Sequence, residues 1–88
     1  MHAVVARATL HDFEGGRQFL RDQVIPRVSQ APGFVAAYWV RVAEDRGASM
    51  LLFESEEAAR AVADQIPRQQ DGVTTVESIE VGEVVERA

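Results

Sequence analysis

With 88 residues, 47% of them hydrophobic and 26% charged, the chain has the balance of a globular protein and the length of one domain, 1–88. It contains no cysteine, which excludes disulfides, thiolate metal ligands and thiol nucleophiles. Fourteen acidic against nine basic residues give a net charge of −5 without a basic cluster, so nucleic acid is not an expected partner. No apolar run approaches the ~20 residues of a membrane span, so no membrane partner is expected either.

All basic residues are Arg, which leaves no lysine for Schiff-base chemistry, and the chain has no Asn. The opening MHAVVARATLHD lacks the basic start and long apolar core of a secretory signal, so a cytoplasmic location is expected.

From His2 to Leu10 the chain alternates Val4, Ala6, Ala8, Leu10 against Ala3, Val5, Arg7, Thr9, the period-two mark of a strand. Asp12 is a plausible N-cap for a helix from about Phe13 to Ser29, with Phe13, Leu20, Val24 and Val28 on one stripe. Pro26 removes a backbone donor, so a kink near Gln23 is expected before the stop at Ala31-Pro32-Gly33.

Gly33 to Glu54 reads as a β-hairpin with a tight turn centred on Asp45 and Arg46. That turn pairs Val42 with Ser49, Val40 with Leu51 and Tyr38 with Phe53 on a core face. It puts Arg41 with Met50 and Trp39 with Leu52 on the other face. Ser55 then caps a second helix, whose first turn carries Glu56 and Glu57 and whose narrow stripe is Ala59, Val62 and Ile66 before Pro67 ends it. A polar loop from Arg68 turns at Asp71-Gly72. The last strand runs from Val73 to Arg87, with Val73, Thr75, Ile79 and Val81 set against Thr74, Val76, Ser78 and Glu80 and a bulge expected at Gly82.

Strand, helix, strand, strand, helix, strand is the ferredoxin-like α+β arrangement: a four-stranded antiparallel sheet with both helices on one face. The other face would expose Val5, Val35, Trp39, Met50, Leu52 and Val76, more apolar surface than a monomer usually shows to water. A homodimer with the two sheets facing each other follows as the expectation.

Three stretches, VIPRVSQAPGFVAAYWVR, SMLLFESEEAA and VESIEVGEVVE, resemble the dimeric α/β-barrel superfamily, and within it the small proteins similar to antibiotic-biosynthesis monooxygenases. The resemblance covers nearly the whole chain. It implies a cofactor-independent monooxygenase acting on a quinol or phenolic aromatic, with no cofactor and a small aromatic ligand inside the barrel. Haem-degrading relatives rely on an Asn on the first strand, a Trp on the third and a His in or after the second helix. None of these carries over here, so haem degradation is not implied.

Within that frame the catalytic candidates are Trp39, Arg41, His11 and Tyr38, and the substrate-binding candidates are Arg7, Thr9, Trp39 and Leu52. Trp39 suits stacking on an aromatic, or equally the centre of a dimer interface. Arg41 or Arg7 suits a phenolate or carboxylate oxygen, although Arg41 and Glu54 are also placed to form an ion pair. Tyr38, on the predicted helix side, is a possible proton donor or simply a buried phenol with a partner, and His11 reaches a cavity mouth or lines a loop. His2 is expected to be exposed, and two isolated His residues make no metal site. The competing function is a non-catalytic ligand-binding or interaction domain with a filled interior.

Overall fold

The computed structural model describes residues 1–70 and 72–88. Alternation in the first segment produces β1 (His2–Leu10), and Asp12 caps the helix that follows, its side chain accepting from Gly15 N at 3.1 Å. That helix is α1 (Phe13–Phe19), a π-helical turn (Leu20–Val24) and α2 (Ile25–Ser29). The expected kink takes the form of this π turn, in which Ile25 N–H reaches back five residues to the Leu20 carbonyl. Pro26 then falls at the start of α2, where a missing donor costs little.

The chain turns at Gly33, whose φ of +78° is the left-handed region, and whose carbonyl accepts from Glu54 N at 2.8 Å. A Cβ there would stand 3.1 Å from the Ala58 Cβ. Gly33→Ala is therefore expected to cost about 1–2 kcal/mol, read as a lower urea midpoint with an unchanged far-UV spectrum.

The hairpin is β2 (Phe34–Ala43) and β3 (Arg46–Phe53), followed by α3 (Glu56–Ala63), β4 (Gln69–Gln70) and β5 (Thr74–Glu83). The Ser55 hydroxyl caps α3 by accepting from Ala58 N at 3.1 Å. On the same exposed turn Glu56 receives the Arg60 guanidinium at 2.8 Å, which holds the carboxyl below its ordinary range. The sheet order is β2-β3-β1-β5-β4, all antiparallel, so the four predicted strands stand in ferredoxin-like order with both helical segments on one face. The fifth, two-residue strand was expected to be loop. Gln70 pairs with Thr74 because the chain doubles back, Val73 N bonding Gln70 O at 3.0 Å. Asp71 of the predicted turn lies outside the described residues, while Gly72 has the left-handed φ of +71° that such a turn uses.

The core lies between sheet and helices, where Phe53 and Val4 are fully buried with Leu51, Ala59 and Val28 around them, and Phe34 meets Phe53 edge-on at 6.0 Å. The faces of β1 and β3 are as expected. Those of β2 are inverted through its middle.

The turn sits one residue earlier than predicted, with Ala43 opposite Arg46, a shift that by itself would keep the faces. A bulge at Val42 then adds an odd residue, and every side chain from Arg41 back to Ala36 changes sides. Trp39 consequently opposes Ser49 and turns toward the helices, while Tyr38 opposes Met50 and turns away. A second irregularity between Phe34 and Ala36 restores the parity, which returns Phe34 to the core. Tyr38 and Val40 are 62% and 53% exposed on the uncovered face, beside Met50 and the half-buried Leu52, and the bulge residue Val42 is 59% exposed.

β5 behaves similarly. Its bulge falls at Glu77, opposite the Arg7–Ala8 step, not at Gly82, which pairs in register with Ala3. Val76 was expected on the open face, but the bulge puts it opposite Ala8 and buries it. The strand ends at Glu83, short of the predicted Arg87, because β1 offers no partner beyond His2 and the last link is Val84 N to Met1 O at 2.9 Å. His2, expected to be exposed, is half-buried, and its Nδ1 is enclosed without a hydrogen-bond partner. Among the described residues no helix is long and apolar enough to cross a membrane.

Candidate functional site

The inner face of the sheet carries small side chains where it passes under the first helix: Ala6 and Ala8 on β1, and Gly47 and Ser49 on β3. The helix faces them with Phe13, Phe19, Leu20 and Val24. A half-open cavity of about 620 Å³ remains, within the range of small-molecule sites. Trp39 is half-buried, packs against the core and forms part of the cavity wall.

Two residues further along β2, Arg41 lines the same cavity and is held firmly. Its Nε and Nη2 donate to the Glu44 carbonyl at 3.1 and 2.8 Å, and its guanidinium carbon lies 3.9 Å from the centroid of the Phe13 ring. The ion pair of Arg41 with Glu54 considered within the chain does not form. Arg41 opposes Gly47 at the turn end of the hairpin, while Glu54 follows β3 at its other end. Arg17 is the second cation beside Phe13, its guanidinium carbon 5.9 Å from the centroid, with Glu14 3.7 Å away as an exposed partner.

Charge is distributed unevenly around this space. Arg17, Arg21, Arg27 and Arg41 line it, whereas no Asp, Glu or His among the described residues does, in a chain with a net charge of −5. The walls therefore offer stacking surface, hydrogen-bond donors and positive potential. They offer no side chain that exchanges a proton near neutral pH.

The remaining candidates lie elsewhere. Tyr38 faces away from the helices, correcting the expected orientation. Arg7, Thr9 and Leu52 lie on the same outer face, as expected, and do not line this cavity. Thr9 Oγ1 donates to Glu77 Oε1 at 3.0 Å. His11 is exposed and turned to Thr75, with Nε2 2.7 Å from Oγ1. Thr75 Oγ1 also donates to Gln69 Oε1 at 3.2 Å. Among the described residues no group of three His, Asp or Glu is arranged to hold a metal ion.

Sequence reasoning named Trp39 and Arg41 but missed Phe13, Arg17, Ser49 and Thr74 as cavity residues. Phe13 read as ordinary helix stripe. Ser49, a hydroxyl on an otherwise apolar inner face, was the available signal, since a polar group placed there needs a solvated space or a partner.

The fold is ferredoxin-like α+β, and it is shared with solved structures that include a cofactor-independent oxygenase and a dimeric ferredoxin-like protein. No family model and no curated protein matches the chain. Among solved structures it is similar to SnoaB, a cofactor-independent oxygenase from Streptomyces nogalater, at 15% identity and a TM-score of 0.71, covering 98% of this chain and 94% of that one. A mutant of the heme-degrader MhuD of Mycobacterium tuberculosis, with two manganese protoporphyrin IX bound per active site, matches at 19% identity and a TM-score of 0.67 over 100% of this chain and 98% of that one. A dimeric ferredoxin-like protein from an uncultured marine organism matches at 14% identity and a TM-score of 0.63, again over 100% and 98%. At these identities the likeness is one of fold.

Proposed function

We propose that the chain forms a homodimer through its open sheet face and that each inner cavity binds a flat, electron-rich phenol or quinol and oxidises it with O₂ without a cofactor. The observation that carries this reading is the cavity of about 620 Å³ in which Trp39 and Arg41 face the same space. Trp39 gives the aromatic a stacking surface, and Arg41 stabilises the phenolate oxygen. The shared fold with SnoaB, a cofactor-independent oxygenase, supports the same reading.

In balanced form, a phenol ring C–H becomes a quinone C=O, and the phenol O–H becomes the second C=O. One atom of O₂ enters the product and the other leaves as water with the two hydrogens lost. O₂ takes all four electrons from the substrate, so no outside reductant is required. The arginines favour ionisation of the phenol, and with no base in the lining among the described residues the proton leaves through the open mouth to water. His11 and Tyr38, outside the cavity, have no part in this step.

Oxygen uptake with a panel of naphthols and quinols tests the proposal. Arg41→Ala should lower kcat/KM by about 10²-fold, the scale of losing one oxyanion donor, and Trp39→Phe should raise KM. Unchanged turnover in both variants would remove the assigned roles. The second reading, a non-catalytic ligand-binding domain, is favoured by a lining in which no Asp, Glu or His stands among the described residues. It predicts ligand-dependent quenching of Trp39 with no oxygen uptake by any member of the panel.

A further inference from the structure

We infer that the cavity's ligand is an aromatic carboxylate, its ring lying against Trp39 and its carboxylate drawn to the guanidinium groups of Arg41 and Arg17 at Phe13. This deepens the reading of the cavity as a ligand site and rests on it. The first ground is charge. Four arginines and, among the described residues, no carboxylate line one cavity of an acidic chain, so the space is positive against the net field of the protein.

The second ground is how the two cations beside Phe13 are held. Arg41 is fixed by its stack on the ring and by two bonds to one carbonyl, which use Nε and Nη2. A guanidinium has five N–H donors in a rigid fork, so its remaining donors are already ordered and have no acceptor among the described residues. Arg17 comes within 5.9 Å of the same ring centroid, and its one carboxylate, Glu14, is 3.7 Å away and 77% exposed. Two cations beside one ring make this part of the wall locally positive, which favours an anionic ligand over a neutral one of the same shape.

The third ground is spacing. Trp39 and Arg41 are two residues apart on one strand and on one face, about 6.6 Å at the usual rise. A fused two-ring aromatic seated on Trp39 brings a terminal substituent to Arg41.

The test compares 2-naphthoate with 2-naphthamide, which share shape and differ in charge. Trp39 is the sole tryptophan of the chain, so its quenching reports binding at this site. At low salt the carboxylate should bind about tenfold tighter or more, the scale of a charge-assisted over a neutral hydrogen bond, and the difference should shrink as salt rises. Arg17→Gln, an exposed helix change that leaves the fold intact, should weaken naphthoate about threefold to tenfold and leave naphthamide unchanged.

Equal affinity for the two probes, or a preference for the amide, overturns the inference while leaving the cavity a ligand site. No quenching by either probe at millimolar concentration overturns the inference and the ligand-site reading together. A clear preference for naphthoate without oxygen uptake by any phenol supports the inference and removes only the oxygenase.

Discussion

Phe53→Ala should cost about 3–5 kcal/mol, the usual price of removing a fully buried phenyl group from a core that cannot close around the gap. Phe53 has no exposed surface, meets Phe34 edge-on at 6.0 Å, and joins β3 to Val4 of β1 and to Ala59 of α3. An 88-residue chain has a total stability of only ~4–13 kcal/mol, so this one change removes a large share of it. Urea unfolding followed by far-UV circular dichroism and Trp39 fluorescence, at one fixed protomer concentration, measures the loss. Val85→Ala, at a residue 83% exposed past the end of the sheet, should stay within about 0.5 kcal/mol and serves as the control. A loss below 1 kcal/mol for Phe53→Ala would mean that the core does not close on this ring.

How much was legible in the sequence differs strand by strand, and the reason is local. β1 and β3 have one face that is plainly more polar or smaller than the other, and no bulge interrupts either between its predicted ends. Their inward residues, Val4, Ala6, Leu51 and Phe53, could be read directly. β2 has apolar residues on both faces from Val35 to Val40, so hydrophobic alternation does not choose between them. Only the turn and the bulge at Val42 decide the parity. That bulge lies beside a turn pinned by the grip of Arg41 on the Glu44 carbonyl and by Leu10 N bonding Asp45 O at 2.7 Å, contacts that no local pattern announces.

Two of the candidate residues, Trp39 and Arg41, therefore line the cavity although their facing was read the wrong way round. Trp39 and Arg41 stood out as the aromatic and the cation of β2, but were assigned to the outer face together. The cavity itself was encoded by an absence of bulk, in Ala6, Ala8, Gly47 and Ser49. Small residues on a core face are ordinarily read as close packing, and only the distance of the helix above them reveals a space.

Val40→Glu should separate the proposed dimer without unfolding the chain. In the predicted register Val40 pointed into the core, where a carboxylate would be ruinous to the fold. In the observed register it opposes Ala48 on the uncovered face and is 53% exposed, so a lone chain tolerates the charge. Packed against a partner sheet, the same carboxylate loses its water and, by two-fold symmetry, is introduced twice. At about 3–5 kcal/mol for an uncompensated buried charge, the dimer dissociation constant should rise by at least ~10²-fold, seen as a monomeric mass by light scattering at micromolar concentration. The far-UV spectrum and the emission of Trp39, on the opposite face of the same strand, should be preserved. Loss of folded signal would restore the predicted register, whereas a variant that stays dimeric would show that the sheet face is not where the subunits meet. A native chain that is already monomeric under these conditions would remove the dimer itself, leaving Tyr38, Val40 and Met50 to be covered by something other than a second copy.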